Sequence, residues 1–352
     1  MKVLHTADLH LKEGEEDRQG ILKDLVQKAN EVKAGAFIIA GDLFESDKDA
    51  AILRSKVKSI FDQCRAPVII IPGNHDPGSF GPDYDYGRNV IQAYKRPVTI
   101  FEIGPLKVAA IPYHEVDFTE CVKDLPRNID ILVAHGTVYD QSFIFAFLDE
   151  EEEEGKTYMP MMPSNLAGIC RYCALGHLHT RSIRVQYQNT HVAYPGSPVA
   201  LSTKCDTERA VVLVDIDTDK SAVRVELLKL GHVPFWQHRE FFIFPGYEQK
   251  VLTDLHDYMG GLDRSKIMPD IEIKGFISSG GREFNLTLEE INREMDSAFY
   301  RHKLQYGRIQ SWDRVIEHGM VKRFVDKTRD LDDELRFKVF ELVFPIFSDA
   351  IK

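Results

Sequence analysis

The sequence predicts a layered α/β domain, a small α+β domain after it, and a helical tail. Two observations point there. Short continuous apolar runs alternate with stretches of helical periodicity, the pattern of a sheet covered on both faces. The apolar runs also end, one after another, in Asp, Asn or His beside glycine. Open α/β sheets place ligands at that edge, beyond the C-terminal ends of their strands.

The elements follow in order. KVLHTAD opens as a short strand with a polar tip. Residues 18–34 carry Ile21, Leu22, Leu25, Val26 and Ala29 at helical spacing. AFIIAGD reads as a buried strand. Residues 48–64 form a helix with Ile52, Leu53, Val57, Ile60 and Phe61 on one face. PVIIIPGNHD, KVAAIPY, IDILVAHG and YCALGHLH repeat the strand-and-tip plan, and HVAYPGSP and AVVLVDID add later strands. These make a domain over 1–230.

A second domain is expected over 231–312. PFWQHREFFIFPG is strand-like, YEQKVLTDLHDYM helical, and DIEIKGFI alternates as a half-buried strand. LTLEEINREMDSAFYRHK follows as a helix, with Thr287 and Glu290 at capping-box spacing. YGRIQS closes a βαβαβ pattern. The tail, 313–352, is helical by pattern until Pro345, with a stripe of Phe324, Leu335, Val339, Phe340, Leu342 and Val343. Packing back on the body is the plain reading of that stripe. Docking on a partner is the alternative.

Composition bounds the class. The 352 residues suit two domains, and 43% hydrophobic with 28% charged residues is ordinary for a soluble globular chain. No apolar run approaches the roughly 20 residues of a membrane helix, so no membrane role is expected. MKVLHTADLH lacks the apolar core and cleavage site of a signal peptide. Five scattered cysteines suggest a reducing cytoplasm. Cys170 and Cys173 form one CxxC. A structural zinc site needs a second pair or histidines at finger spacing, so ordinary, partly buried thiols are expected. The net charge of -11 argues mildly against nonspecific nucleic-acid binding, though local patches matter more than the sum. DEEEEE at 149–154 reads as a solvated loop, with a DNA-repelling or partner-facing role as the alternative.

The strand tips carry the chemistry. ALGHLH sets His177 and His179 two apart, on one side of the chain if the strand continues. Alone, such a pair is also consistent with chance surface histidines. The other tips add Asp8 and His10, Asp42 in GDLF, Asn74, His75 and Asp76 in GNHD, and His135 in AHGT. Any one of these reads as a capped turn. Five on one rim do not, because crowded carboxylates and imidazoles are costly unless something neutralises them. A pair of divalent ions does so. Mixed Asp, Asn and His donors suit Mn, Fe or Zn rather than the all-oxygen shells of Ca or Mg.

DLH, GDLF, GNHD, AHG and GHLH, in that order, resemble the calcineurin-like metallophosphoesterase superfamily over residues 1 to about 215. The resemblance implies a metallophosphoesterase sandwich. It implies that Asp8, His10, Asp42 and His179 hold one metal. Asp42, Asn74, His135 and His177 would hold the other, with Asp42 bridging. Such an ion pair clamps the attacking and leaving oxygens of an in-line displacement at phosphorus. His75 is then expected to protonate the leaving oxygen or steady the phosphoryl charge. Glu45 stands where many phosphatases of the superfamily place an Asp paired with that histidine. It is expected to orient His75, a solvated glutamate being the alternative.

KVLHTADLHL, YPGSP at 194–198 and the small domain after 231 resemble SbcD-type exonucleases and the related double-strand-break repair nucleases. That resemblance implies a two-metal DNA nuclease, exo- or endonucleolytic. Mn²⁺ is the favoured ion, with Fe, Zn or Mg as alternatives. It implies an SbcC-like, SMC-family ATPase partner on the helical tail, and a homodimer. By sequence position, Arg88, Lys95, Arg96, Arg181 and Arg184 are candidate DNA contacts near the rim, though each also reads as an ordinary surface charge. Two departures stand out. ESDKDAAILRS lacks the Pro-Ser element those nucleases carry after GDLF, and DQSFIFAFLDEEEEEGKTYMPMMP maps onto nothing in them. The alternatives are a cyclic-nucleotide or small-molecule phosphodiesterase, and a scaffold that has lost catalysis.

Overall fold

The KVLHT run forms strand β1 (Lys2–Thr6), and helix α1 (Glu16–Glu31) leads on to the wholly buried β2 (Ala36–Ala40) in the computed structural model of the chain. The structure describes residues 1–114, 117–141, 158–217, 219, 222–278 and 281–350; the acidic run at 149–154 lies outside them. The described chain divides into two units, Met1–Phe235 and Trp236–Lys352.

In the first unit, helix α2 (Asp47–Phe61) and β3 (Val68–Ile71) follow β2. Strands β1, β2 and β3 are parallel neighbours in a six-stranded sheet. β4 (Val90–Gln92), β11 (Ala210–Asp217) and β12 (Ala222–Lys229) complete it. A second six-stranded sheet contains β5 (Thr99–Ile103), β6 (Leu106–Ile111), β7 (Ile129–His135), β8 (Cys170–Gly176), β9 (Ile183–Tyr187) and β10 (Thr190–Tyr194). There β6, β7, β8 and β10 are parallel.

Alternate residues of each buried strand serve different cores. Phe37 and Ile39 pack with Leu22, Leu25, Val57 and Phe61 of the helices. Ile38 and Ala40 instead meet Ile131, Val133 and Ala174 of the other sheet. On the far side, Leu132 and Ala134 pack with Phe118, Cys121 and Leu166. Two-faced burial makes the strands continuously apolar, and each large side chain so buried contributes about 1.5–3 kcal/mol. The layered sandwich is the architecture the sequence predicts. Ile52 departs from the expected helix face: it is exposed, while Ala50, Leu53, Val57, Ile60 and Phe61 turn inward. Cys170 and Cys173 are buried free thiols.

The second unit has its own three-stranded sheet of β13 (Phe235–Ile243), β14 (Ile267–Ile277) and β15 (Lys303–Ser311). Helices α3 (Glu248–Gly261) and α4 (Gly281–Ala298) supply Val251, Leu255, Leu288 and Met295 to its core. This is the expected βαβαβ order. The expected capping box fails, because α4 begins before Thr287; mid-helix, Thr287 Oγ1 instead donates to the Glu283 carbonyl one turn back. The tail helix also departs from expectation. It spans Asp333–Ala350 and so continues through Pro345. Phe324, Phe337, Phe340 and Val343 of the tail pack with Phe242, Phe244 and Phe276 of the sheet, while Leu335 and Leu342 stay exposed.

Candidate metal centre

Parallel strands end at the same side of their sheet, so the tips of β1, β2, β3, β7 and β8 deliver their polar residues to one rim. Backbone hydrogen bonds carry the pairing past the strands: Asp8 N–H donates to the Gly41 carbonyl and His10 N–H to that of Asp42, each at 3.1 Å. The chain pays for these positions in backbone conformation. Asp8 (φ 56), His10 (φ 48), Asp42 (φ 47) and His177 (φ 111) all occupy the left-handed region, at about 1–3 kcal/mol each for a side-chain-bearing residue. The flanking glycines are steric requirements. A Cβ on Gly41 would stand 2.1 Å from His135 Nδ1, and one on Gly73 would stand 2.0 Å from Asp42 Oδ1.

Asp8, His10, Asp42 and His179 bring one donor atom each within 4.8 Å of one another. His10 Nε2 lies 3.2 Å from His179 Nε2 and 3.7 Å from Asp42 Oδ2. His135 Nε2 lies 2.9 Å from Asn74 Oδ1 and 3.3 Å from Asp42 Oδ2. The His177 ring stands 5.4 Å from that of His135. Asp42 therefore faces both groups. Fixed hydrogen bonds hold the carboxylates: His177 N–H donates to both Asp8 oxygens at 3.0 Å, and His75 N–H to Asp42 Oδ1 at 2.9 Å. His177 and His179 do not share a side as strand residues, because β8 ends at Gly176 and His177 turns left-handed. His177 faces His135 and His179 faces His10, with their own rings 6.4 Å apart.

Burial and crowding set the electrostatics of the site. Burial pushes the Asp8 carboxyl up to about 7, against the pull of His179 and His135. Burial also acts upward on Asp42, but His135, then His10 and His75, outweigh it and hold that carboxyl low. Burial opposes charge on His135 too, yet Asp42 and Asp8 raise it to about 9. Burial lowers His10 to about 4, and it takes His177 well down with help from His135 and His179. Among the described residues, neither ring nitrogen of buried His177 has a hydrogen-bond partner. Buried polar atoms are normally satisfied. Neutral imidazoles, carboxylates and one amide oxygen, converging with donors to spare, fit divalent cations.

The remaining expected residues divide. His75 is exposed at the rim, its ring 4.7 Å from that of His10. The expected Glu45–His75 pairing takes another form. His75 Nδ1 lies 3.3 Å from the Glu45 backbone carbonyl, while the Glu45 carboxylate turns to His10 Nδ1 at 3.2 Å. That contact with His10, helped by Arg18, holds Glu45 down at about 2 against the upward push of its partial burial. Arg96 donates to the Tyr113 carbonyl at 3.1 Å, and the Tyr113 ring is 6.4 Å from that of His135. Lys95 is exposed beside it, and Arg181 is half-buried just beyond His179. Arg184 reaches the Val225 carbonyl at 2.9 Å and so ties β9 to β12. Arg88 is not near the rim. It precedes β4, whose parallel register pairs Val90 with Val68, at the opposite end of the sheet.

The sequence reading set Asp76 at the third tip without giving it a role, and it passed over Arg18. Asp76 accepts from Gly73 N at 2.9 Å and Phe44 N at 3.0 Å, which staples the second and third tips together. Burial, then Asp42, pushes its carboxyl to about 8. The GNHD motif was its signal. Arg18, buried behind His10, had none.

The chain is 28% identical over 258 residues to the DNA double-strand break repair protein Mre11 of Aeropyrum pernix; the match takes in 66% of this chain and spans 62% of that relative's length. Similar solved structures include a purple acid phosphatase from yellow lupin seeds, at 12% identity and a TM-score of 0.40, covering 65% of this chain and 51% of that one. Another is a dimetal phosphatase from Danio rerio, at 10% identity and a TM-score of 0.38, covering 61% of this chain and 92% of that one. The calcineurin-like phosphoesterase profile matches residues 1–181, more than half of the sequence. The chain belongs to the calcineurin-like phosphoesterase family.

Proposed function

We propose that this chain is a two-metal DNA nuclease that works in double-strand-break repair. The observation that carries the metal chemistry is the buried Asp8–His10–Asp42–His179 group with His177 left unsatisfied beside it. The DNA substrate rests on the likeness to Mre11, whose 258 aligned residues run past the phosphoesterase match. Two divalent ions bound there, Mn²⁺ by preference, supply Lewis-acid stabilisation of an in-line displacement at phosphorus.

The chain's own residues do the rest. The first group is Asp8, His10, Asp42 and His179, and the second is Asp42, Asn74, His135 and His177. His75 acts as the acid. The Glu45 carbonyl beside its Nδ1 favours a proton there and leaves Nε2 facing the open rim. With both nitrogens protonated, His75 would give its Nε2 proton to the leaving oxygen and be left neutral, keeping the Nδ1 proton on the Glu45 carbonyl. Arg96, Lys95 and Arg181 would hold the DNA backbone as point charges, a sequence-independent role. An SMC-like ATPase on the tail, a homodimeric state and a cytoplasmic location belong to the same reading. Among the described residues, no helix is long and apolar enough to cross a membrane.

Digestion of end-labelled single- and double-stranded DNA with Mn²⁺ tests it. Wild type is expected to cut, and His75→Ala to lose about 10²–10⁴-fold in rate with its ions retained. DNA left intact while cyclic nucleotides are hydrolysed would replace this reading with a small-molecule phosphodiesterase.

A further inference from the structure

Behind the rim, one buried arginine holds His10 both directly and through a glutamate. Arg18, on α1, is 7% exposed. Its Nη1 donates to the His10 carbonyl and lies 3.3 Å from Glu45 Oε2, while its Nε lies 2.7 Å from Glu15 Oε2. The same Glu45 oxygen lies 3.2 Å from His10 Nδ1. Arg18 thus holds His10 by its backbone and, through Glu45, by its ring. The main chain fixes the arrangement independently: Glu45 N–H donates to the Leu11 carbonyl at 3.0 Å, and Leu11 N–H to that of Leu43 at 2.9 Å.

The two nitrogens of His10 face different neighbours. Nδ1 meets Glu45. Nε2 faces inward, 3.2 Å from His179 Nε2 and 3.7 Å from Asp42 Oδ2. We propose that Glu45 and Arg18 are positioning residues for His10: the carboxylate accepts a hydrogen bond from Nδ1–H, the guanidinium anchors the carboxylate, and Nε2 keeps its lone pair for the rim. This rests on the rim being a metal centre, as read above. Glu45 is not placed as a ligand of that centre, because it meets the nitrogen turned away from Asp42 and His179. Ligating histidines commonly give their second N–H to a carboxylate, and losing that partner weakens metal binding about 10–100-fold. His10 has particular need of one. Its backbone is left-handed, with φ 48, so its ring direction depends on neighbours that hold it.

Calorimetric titration of the metal-free full chain with Mn²⁺ is the test. Wild type is expected to bind two ions. Glu45→Ala should weaken one of them about 10–100-fold and leave the other nearly unchanged. Glu45→Gln should recover most of the loss, because its amide oxygen still accepts from Nδ1. Arg18→Lys should fall between them, keeping the charge but losing the fork that reaches two acceptors. Melting of the ion-free variants separates positioning from folding: a purely structural role would lower melting and spare affinity, which overturns the proposal. Two ions bound by Glu45→Ala at wild-type strength would overturn it too. Wild type binding no ion would instead overturn the metal-centre reading on which it stands.

Discussion

The rim and the small domain's sheet each gather histidine and carboxylate atoms within 4.8 Å of one another, as Asp8–His10–Asp42–His179 and as His238–Glu240–Glu272. They do so in opposite ways. At the rim, Asp8 and Asp42 are wholly buried, His177 has two unsatisfied nitrogens, and four residues hold left-handed backbone. On the small sheet, His238 and Glu240 are nearly half exposed. Each member there already has a partner: His238 with Asp270 at 2.9 Å, Glu240 with Lys274 at 2.7 Å, and Glu272 with Arg308 at 3.2 Å. Proximity is common to both. What differs is stored free energy. Buried donors without partners are costly, and an ion relieves that cost. Satisfied surface pairs leave an ion nothing to relieve.

The sharpest way to break this contrast is Asp42→Asn. The amide oxygen can still accept from His75 N–H, so the local fold should hold. The substitution removes the charge that faces both His10 and His135. Loss of both ions in equilibrium dialysis, with DNA hydrolysis falling to background, is the expected and largest effect. Two ions retained by this variant would mean that Asp42 does not join the two groups.

The same contrast explains what was legible in the sequence. Strands buried on both faces, such as VIII at Val68–Ile71, announce themselves as apolar runs, and their polar tips name the rim residues. The edge strands Thr99–Ile103, Ile183–Tyr187 and Ala222–Lys229 do not, because one face meets water and their sequences alternate in charged and polar residues. Local strand geometry also misjudged how His177 and His179 are aimed, since the left-handed turn after Gly176 intervenes. Glu45 and Arg18 were opaque for a different reason. Their partner is His10, and only the packing of α1 against the first two tips brings the three together. The family resemblance suggested His75 for Glu45; the fold turns its carboxylate to His10 of the first tip instead.

A smaller effect is the pH dependence of ion binding. An ion must displace the Asp8 proton, held up to about 7, and the His135 proton, held to about 9. His10 and His177 are already neutral, so they release none. Mn²⁺ affinity should therefore rise with pH. The ion-free chain behaves inversely. Folded Asp8 keeps a proton that the unfolded chain loses near 3.8, so stability falls as pH climbs toward 7. The raised His135 adds stability below 6.5 that is lost as pH passes 9. Saturating Mn²⁺ adds about 2.7 kcal/mol at a hundredfold excess over its dissociation constant. The rise in melting temperature on adding a fixed Mn²⁺ concentration should be larger at pH 8 than at pH 6. An equal or smaller rise at pH 8 would show that proton release at the rim is not linked to binding.

The smallest expected effect on ions is the most informative about the small domain. His238→Ala should leave Mn²⁺ stoichiometry and affinity unchanged. An ion there would have to displace Lys274 from Glu240 and Arg308 from Glu272. The same substitution should nonetheless cost stability, because Asp270 is 5% exposed and would lose the His238 partner of its Oδ2. Stranding a buried carboxylate costs about 1–3 kcal/mol, whereas the Arg308–Glu272 pair, whose arginine is 77% exposed, is worth about 0–1 kcal/mol. Denaturant unfolding of the ion-free chain should show that loss for His238→Ala and little for Arg308→Ala. Should His238→Ala instead lose a bound ion, side-chain proximity without burial would be enough to make a site, and the lesson drawn from the rim would fail.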